Sequence, residues 1–352
     1  GCATGYSKGF GTIYIEMTES HGSIQTLYPW QQEQWQRIQQ SRAASRLPHA
    51  LLLTGPAGVG KSIFAVMLAN SLLCLAPTSE GTACGCCQNC QLLHAGSHPD
   101  FIRIEPEEPG KAIRIDTIRE FTAKEALTSQ SGGYKVIIIE PADAMNIAAS
   151  NSLLKTLEEP TARTLMILIS SHPVRLPATI RSRCQSVHFP TPERAIAKAW
   201  LDEQLPQTDT DQLLNFSAGS PLQALALSQG DSLALRGKIL EEFSHVLSRK
   251  ADPVAVAANW ASEALEQLIP WLSGWLMDMV RLKMVPNTQM LTNIDQKQHL
   301  QALASTIELK ALYLLLDKLL EMNRTLGSQL NNQMLLEDLL LSSVSVTARK
   351  AS

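Results

Sequence analysis

The segment GPAGVGKS, residues 55–62, constrains this chain more than any other stretch. It follows the apolar run ALLLT at 50–54 and opens onto SIFAVMLANSLLCL at 62–75, whose apolar residues cover a wide helical face. A match to G-x-x-x-x-G-K-[ST] gains its meaning from that context of strand before and helix after. Gly55, Gly58 and Gly60, with Pro56 between them, let the backbone turn its N–H groups around phosphate oxygens at the positive end of the helix. In such a P-loop Lys61 reaches the β- and γ-phosphates and Ser62 ligates Mg²⁺, so ATP or ADP with Mg²⁺ is the ligand to expect.

The surrounding sequence fits a doubly covered sheet. FIRIEP (101–106), KVIIIE (135–140) and TLMILIS (164–170) read as strands, with ALLLTG (50–55) as the first. Between them IDTIREFTAKEAL (115–127) and AASNSLLKTLEEP (148–160) read as helices, the second stopped by Pro160. Continuous apolar strands alternating with helices predict an α/β domain, a parallel sheet with helices on both faces. After about residue 190 the strands cease. Residues 193–230 read as a small helical unit, and long amphipathic helices such as SEALEQLIPWLSGWLMDMVRLK and IELKALYLLLDKLLEMNRTL follow from about 233. PTPE (190–193) and SAGSP (217–221) are the expected joints, and 352 residues suffice for two or three domains.

The stretch VIIIEPADAM, 136–145, carries the next piece of chemistry. Glu140 ends a strand where a P-loop protein holds its magnesium, but Pro141 has no side-chain acceptor with which to polarise an attacking water. Asp143, two residues on, is expected to point elsewhere. Loss of a water-orienting base typically removes a factor of about 10²–10⁴. The expectation is nucleotide binding without efficient hydrolysis. Ser170 or Ser171, at the end of a strand, can sense a γ-phosphate or simply form a turn.

Cys74, Cys84, Cys87 and Cys90 form C-x9-C-x2-C-x2-C within CLAPTSEGTACGCCQNC. Spacing this close lets four thiolates converge on Zn²⁺, with Gly85 relieving crowding, and a closed four-ligand site is structural rather than catalytic. Redox pairing and simple burial are the competing readings. Cys86 is a surplus thiol, either a bystander or an alternative ligand, and His94 and His98 read as surface or structural residues.

Composition narrows the rest. A net charge of −3 and a pI near 6.3 advertise no basic field for nucleic acid, so a zinc-dependent nucleic-acid-binding module is disfavoured. No apolar run reaches the length of a membrane helix and no secretory signal is visible, so a cytoplasmic protein is the default. Met17 reads as a natural start, with residues 1–27 a partly disordered extension.

YPW at 28–30, HALLLTGPAGVGKS, the cysteine insertion, NSLLKTLEEP and RSRC at 181–184 together resemble the AAA+ clamp-loader family of bacterial DNA polymerase III. The likeness is dense over 28–190 and looser through FSAGSPLQALAL (216–227) to NNQMLLEDLLL (331–341). It implies an AAA+ P-loop domain at 28–190 with a zinc insertion at 74–90, a small helical lid at 191–232, and an all-α collar and oligomerisation domain at 233–352. It also implies a hetero-pentameric ring with tau or gamma ATPase subunits and a delta subunit, acting on the sliding clamp and primed DNA.

The family's Ser-Arg-Cys motif matches Ser182, Arg183 and Cys184, which makes Arg183 an arginine finger acting in trans on a neighbour's ATP site. Motor subunits carry Asp-Glu where this chain has Glu140-Pro141, and an arginine where this chain has Leu222. The resemblance therefore implies a stator with little or no ATPase activity, in a holoenzyme whose polymerase chemistry lies elsewhere. The alternative is an ATP-hydrolysing motor of the tau/gamma type or another remodeller, for which the complete P-loop speaks.

Overall fold

A computed structural model describes residues 26–347, apart from 109, 126–131, 230, 262–264, 287, 289 and 326–330. The expected extension lies almost wholly outside the described residues, as does the end of the helix expected at 115–127.

The chain forms two compact units. Among the described residues, one takes in 26–208 together with Gly219–Ala224; the other comprises Asp209–Ala218 and the residues from Leu225 on. The first is built on a five-stranded sheet: β1 (Ala50–Thr54), β2 (Phe101–Ile104), β3 (Lys135–Ile139), β4 (Thr164–Ser170) and β5 (Gln185–His188). Every pair is parallel and the order is β2-β3-β4-β1-β5.

The continuous apolar runs have a direct cause: successive side chains point to opposite faces, and both faces are covered. Leu51, Leu53, Val136, Ile138, Leu165 and Ile167 pack with Trp35, Phe64 and Leu68 on one face. Ala50, Leu52, Ile137, Ile139, Met166 and Leu168 pack with Ile118, Phe121, Leu153 and Leu157 on the other. The first face is closed by α1 (Gln32–Ala43) and α2 (Lys61–Leu73), and the second by α4 (Ile115–Glu125) and α5 (Ile147–Glu158); α3 (Gln88–His94) lies in the cysteine segment.

The fifth strand, QSVH, and helix α1, QEQWQRIQQSRA, carry too few apolar residues to signal themselves. The edge strand β5 is largely exposed, and α1 buries little more than Gln34, Trp35 and Ile38. The short α6 (Ala178–Arg181) leads into β5, and α7 (Arg194–Gln204) follows it.

The second unit holds α8 (Thr210–Phe216), α10 (Ser232–Leu247), α11 (Pro253–Trp260), α12 (Leu265–Met284), α13 (Lys297–Thr306), α14 (Leu309–Thr325) and α15 (Asn332–Thr347); α9 spans Pro221–Ser228. Here α12 packs on α13 and α14, and α15 on α11 and α14. Its core combines Phe243, Trp260 and Trp275 with a buried polar network. The Asp278 carboxylate, fully buried, accepts hydrogen bonds from the Thr292 and Asn293 amides, the Asn293 side chain and Arg281. Arg236 donates to Asn293 and Asp295 and lies 3.8 Å from the Phe216 ring centroid. This network pins the segment between α12 and α13, and a buried charge so fully bonded is costly to break from one side. Among the described residues no helix is long and apolar enough to cross a membrane.

Candidate functional site

The P-loop leaves the carboxyl end of β1 and runs into α2, as its sequence requires. Gly58 and Gly60 have φ of +76° and +85°, a region L-residues avoid. Close approach forbids a side chain as well: a Cβ on Gly60 would lie 2.7 Å from the Tyr28 ring, and one on Gly58 2.6 Å from Gln223. The loop is therefore held from outside. Trp30 donates to the Val59 carbonyl, the Gln31 amide to those of Val59 and Gly60, and the Leu222 amide to that of Gly58. Tyr28 stacks on Trp30 at 4.9 Å, and Trp200 of α7 meets both rings edge-on.

The Lys61 ammonium donates to the carbonyls of Gly55 (2.8 Å) and Pro56 (2.7 Å) and to Ser171 Oγ (3.1 Å). Burial lowers its pKa to about 8, against the opposing pull of Glu140 and Asp143. Ser62 Oγ donates to Glu140 Oε1 in a short contact, and Arg103 Nη2 of β2 donates to Glu140 Oε2 at 3.1 Å. The two expected magnesium ligands are thus brought together, and a neighbouring strand supplies Glu140 with a cation.

Asp143 does not point elsewhere. The 3₁₀ turn Ala142–Ala144 curls its side chain toward the end of β4, where it accepts from Ser170 Oγ at 2.5 Å and lies 3.6 Å from His172 Nδ1. Burial alone would raise this carboxyl, but the bonds from His172 and Ser170 outweigh it and hold Asp143 below the ordinary value. Ser171 faces Lys61 and Ser170 faces Asp143, so neither serine is merely a turn former.

The cysteines converge. Sγ separations are 3.5 Å for Cys74–Cys84 and Cys87–Cys90, and 3.9 Å for Cys74–Cys87 and Cys84–Cys90. A tetrahedron of sulfurs with Zn–S near 2.3 Å has edges of about 3.8 Å, so this cluster can hold a zinc ion. Four mutually close sulfurs suit a cage better than two redox pairs. Amide hydrogen bonds from Cys86 and Cys87 lower Cys84 to about 6, whereas burial raises Cys74 and pushes Cys90 up to about 12. Only a cation among them lets all four ionise together. Gly85 adopts φ +75° in the knuckle, Cys86 is exposed 3.7 Å from Cys84, and His98 is buried, its Nδ1 accepting from the Asp100 amide.

Arg183 follows α6 at the amino end of β5. Because all strands are parallel, this is the end of the sheet opposite the P-loop. Gly55 abuts Phe189, six residues further along the chain than Arg183, which is a separation of about 15–20 Å. Arg183 therefore lies well away from the P-loop of its own chain. Its guanidinium is bonded to Glu158 of α5 and to the Thr179 carbonyl. Cys184, half-buried, packs against the sheet core, and burial pushes its thiol up to about 11, which disfavours the thiolate.

A P-loop at the carboxyl end of β1 in a sheet of this order, with helical segments after it, defines an AAA+ domain. Family models described as "DNA polymerase III, delta subunit" and "DNA polymerase III, delta subunit, C terminal" match residues 30–193 and 230–344. DNA polymerase III subunit delta' of Pseudomonas aeruginosa is 37% identical over 320 residues, covering 90% of this chain and 96% of the relative. The same subunit of Escherichia coli (strain K12) is 34% identical, covering 89% and 94%. A solved gamma subunit-related protein of DNA polymerase III from Thermotoga maritima aligns over 90% of this chain and 99% of its own, at 18% identity and a TM-score of 0.40. This chain belongs to the delta' family of DNA polymerase III clamp-loader subunits.

Proposed function

We propose that this chain is the stator of a clamp-loader ring, lending Arg183 in trans to the ATP site of a neighbouring tau or gamma subunit during loading of the sliding clamp on primed DNA. The observation that carries this reading is the position of Arg183 at the end of the sheet remote from its own P-loop. A finger so placed serves only another chain. The delta subunit and the motor subunits complete a hetero-pentamer through the helices of 233–352, with residues 191–232 as lid.

A nucleotide with Mg²⁺, held by the loop amides, Lys61, Ser62 and Glu140, acts here as a static ligand. Pro141 leaves no water-orienting carboxylate at its position, and Leu222 replaces the arginine that would contact a γ-phosphate. Zn²⁺ on Cys74, Cys84, Cys87 and Cys90 is structural. DNA-directed DNA polymerase activity belongs to the holoenzyme.

The test is Arg183→Ala in the reconstituted loader. Ring assembly by gel filtration should be unchanged. DNA-stimulated ATP turnover should lose the share of the site that Arg183 faces, since such fingers are worth about 10³–10⁵ in rate. Unchanged turnover would refute the role.

A further inference from the structure

We infer that Glu158 restrains Arg183 in cis, occupying the guanidinium edge that a neighbour's phosphate must take. Arg183 Nη1 is anchored on the preceding helix α6, donating to the Thr179 carbonyl at 2.9 Å. Nε and Nη2 both donate to Glu158 Oε1, at 2.9 and 2.5 Å. That Nε–Nη2 edge is one of the forks with which arginine grips a carboxylate or phosphate, so the two anions compete for the same donors. The restraint rests on the reading of Arg183 as a finger acting in trans.

Two features suit Glu158 to yield. It is the last residue of α5, whose contact with α6 sets the distance between the pair, so the pair forms without help from a partner. Both side chains are substantially open to water, Arg183 at 34% and Glu158 at 50%. An ion pair this exposed is weak and exchangeable, where a buried one would lock. Glu158 is thus a positioning residue that tempers the finger until a phosphate with more negative charge displaces it.

The experiment measures ATP turnover by the reconstituted loader, with and without primed DNA, for wild type, Glu158→Gln, Glu158→Ala, Arg183→Ala and Glu158→Gln/Arg183→Ala. Removing the charge should raise DNA-free turnover about two- to fivefold, the range an exposed ion pair allows, and so narrow the stimulation by DNA. The rise should vanish in the Arg183→Ala background. A purely structural role for Glu158 would instead lower turnover or assembly and persist without Arg183. Unchanged or reduced DNA-free turnover in both Glu158 variants, with Arg183→Ala still slow, overturns the restraint and spares the finger. If Arg183→Ala turns over like wild type, the finger itself fails, and the restraint with it.

Discussion

Lys61 shows how far single residues were legible. Its place in GPAGVGKS announces a phosphate ligand, and the structure seats its ammonium among loop carbonyls and Ser171. Burial has a consequence that can be measured. With a folded pKa of about 8 against 10.5 for the unfolded chain, the unfolded state binds more protons between those values. Stability therefore rises with pH across that window, and the cost of burying the charge is fully present below pH 8. Relative to Lys61→Met, wild type should gain on the order of 3 kcal/mol between pH 7.5 and 10.5. Urea unfolding of both proteins at the two pH values checks this, and a constant difference would contradict it. Ser171, the side-chain partner of Lys61, was singled out in the sequence, but the partners of the loop were not legible. Trp30, Gln31, Arg103, Asp143 and Gln223 reach the site through strand register and turns, which no local pattern encodes. Asp143 was misjudged for that reason: its turn direction depends on Ser170 and His172, far along the chain.

At the scale of elements, legibility followed apolar content. Strands β1, β3 and β4 were read because both faces are buried, β2 was read at one edge because its apolar residues alternate, and β5 was missed at the other edge because QSVH carries a single apolar residue. The cysteine segment was read by a different signal, ligand chemistry, and its small helix α3 was not read at all. This segment is tied to α1 and α2 through single polar contacts: Trp35 Nε1 donates to the Glu80 carbonyl, Gln39 and Ser71 to that of Gly81, and Asn89 to that of Leu73. Neither sheet cluster includes a residue between 75 and 92. One zinc per chain is expected by metal analysis of the purified protein, lost in Cys90→Ser and retained in Cys86→Ser. Chelation should deprotect the amides of 75–94 in hydrogen exchange while those of β1, β3 and β4 stay protected, because the metal closes this segment locally. Loss of protection across the sheet would mean that the zinc stabilises the whole domain.

For the whole molecule the question is whether it turns over ATP. The P-loop sequence is complete, yet its polar side chains are engaged within the chain: Lys61 by carbonyls, Ser62 by Glu140 and Glu140 by Arg103. A nucleotide bound there would have to displace several of these contacts, and nothing at position 141 would orient water. Asp143 is a nearby carboxylate that could do so, but it accepts from Ser170 Oγ and lies 3.6 Å from His172 Nδ1. The purified chain alone should therefore show no steady-state ATP hydrolysis above that of Lys61→Ala. The comparison matters because Lys61→Ala removes the cradle's charge and leaves any contaminating ATPase in place. Turnover that disappears with Lys61 and falls further than about 10²-fold in Asp143→Asn would assign the base to Asp143. The chain would then count among the motors. Absence of turnover would agree with the missing acceptor at position 141 and with the proposed reading of this chain as a stator.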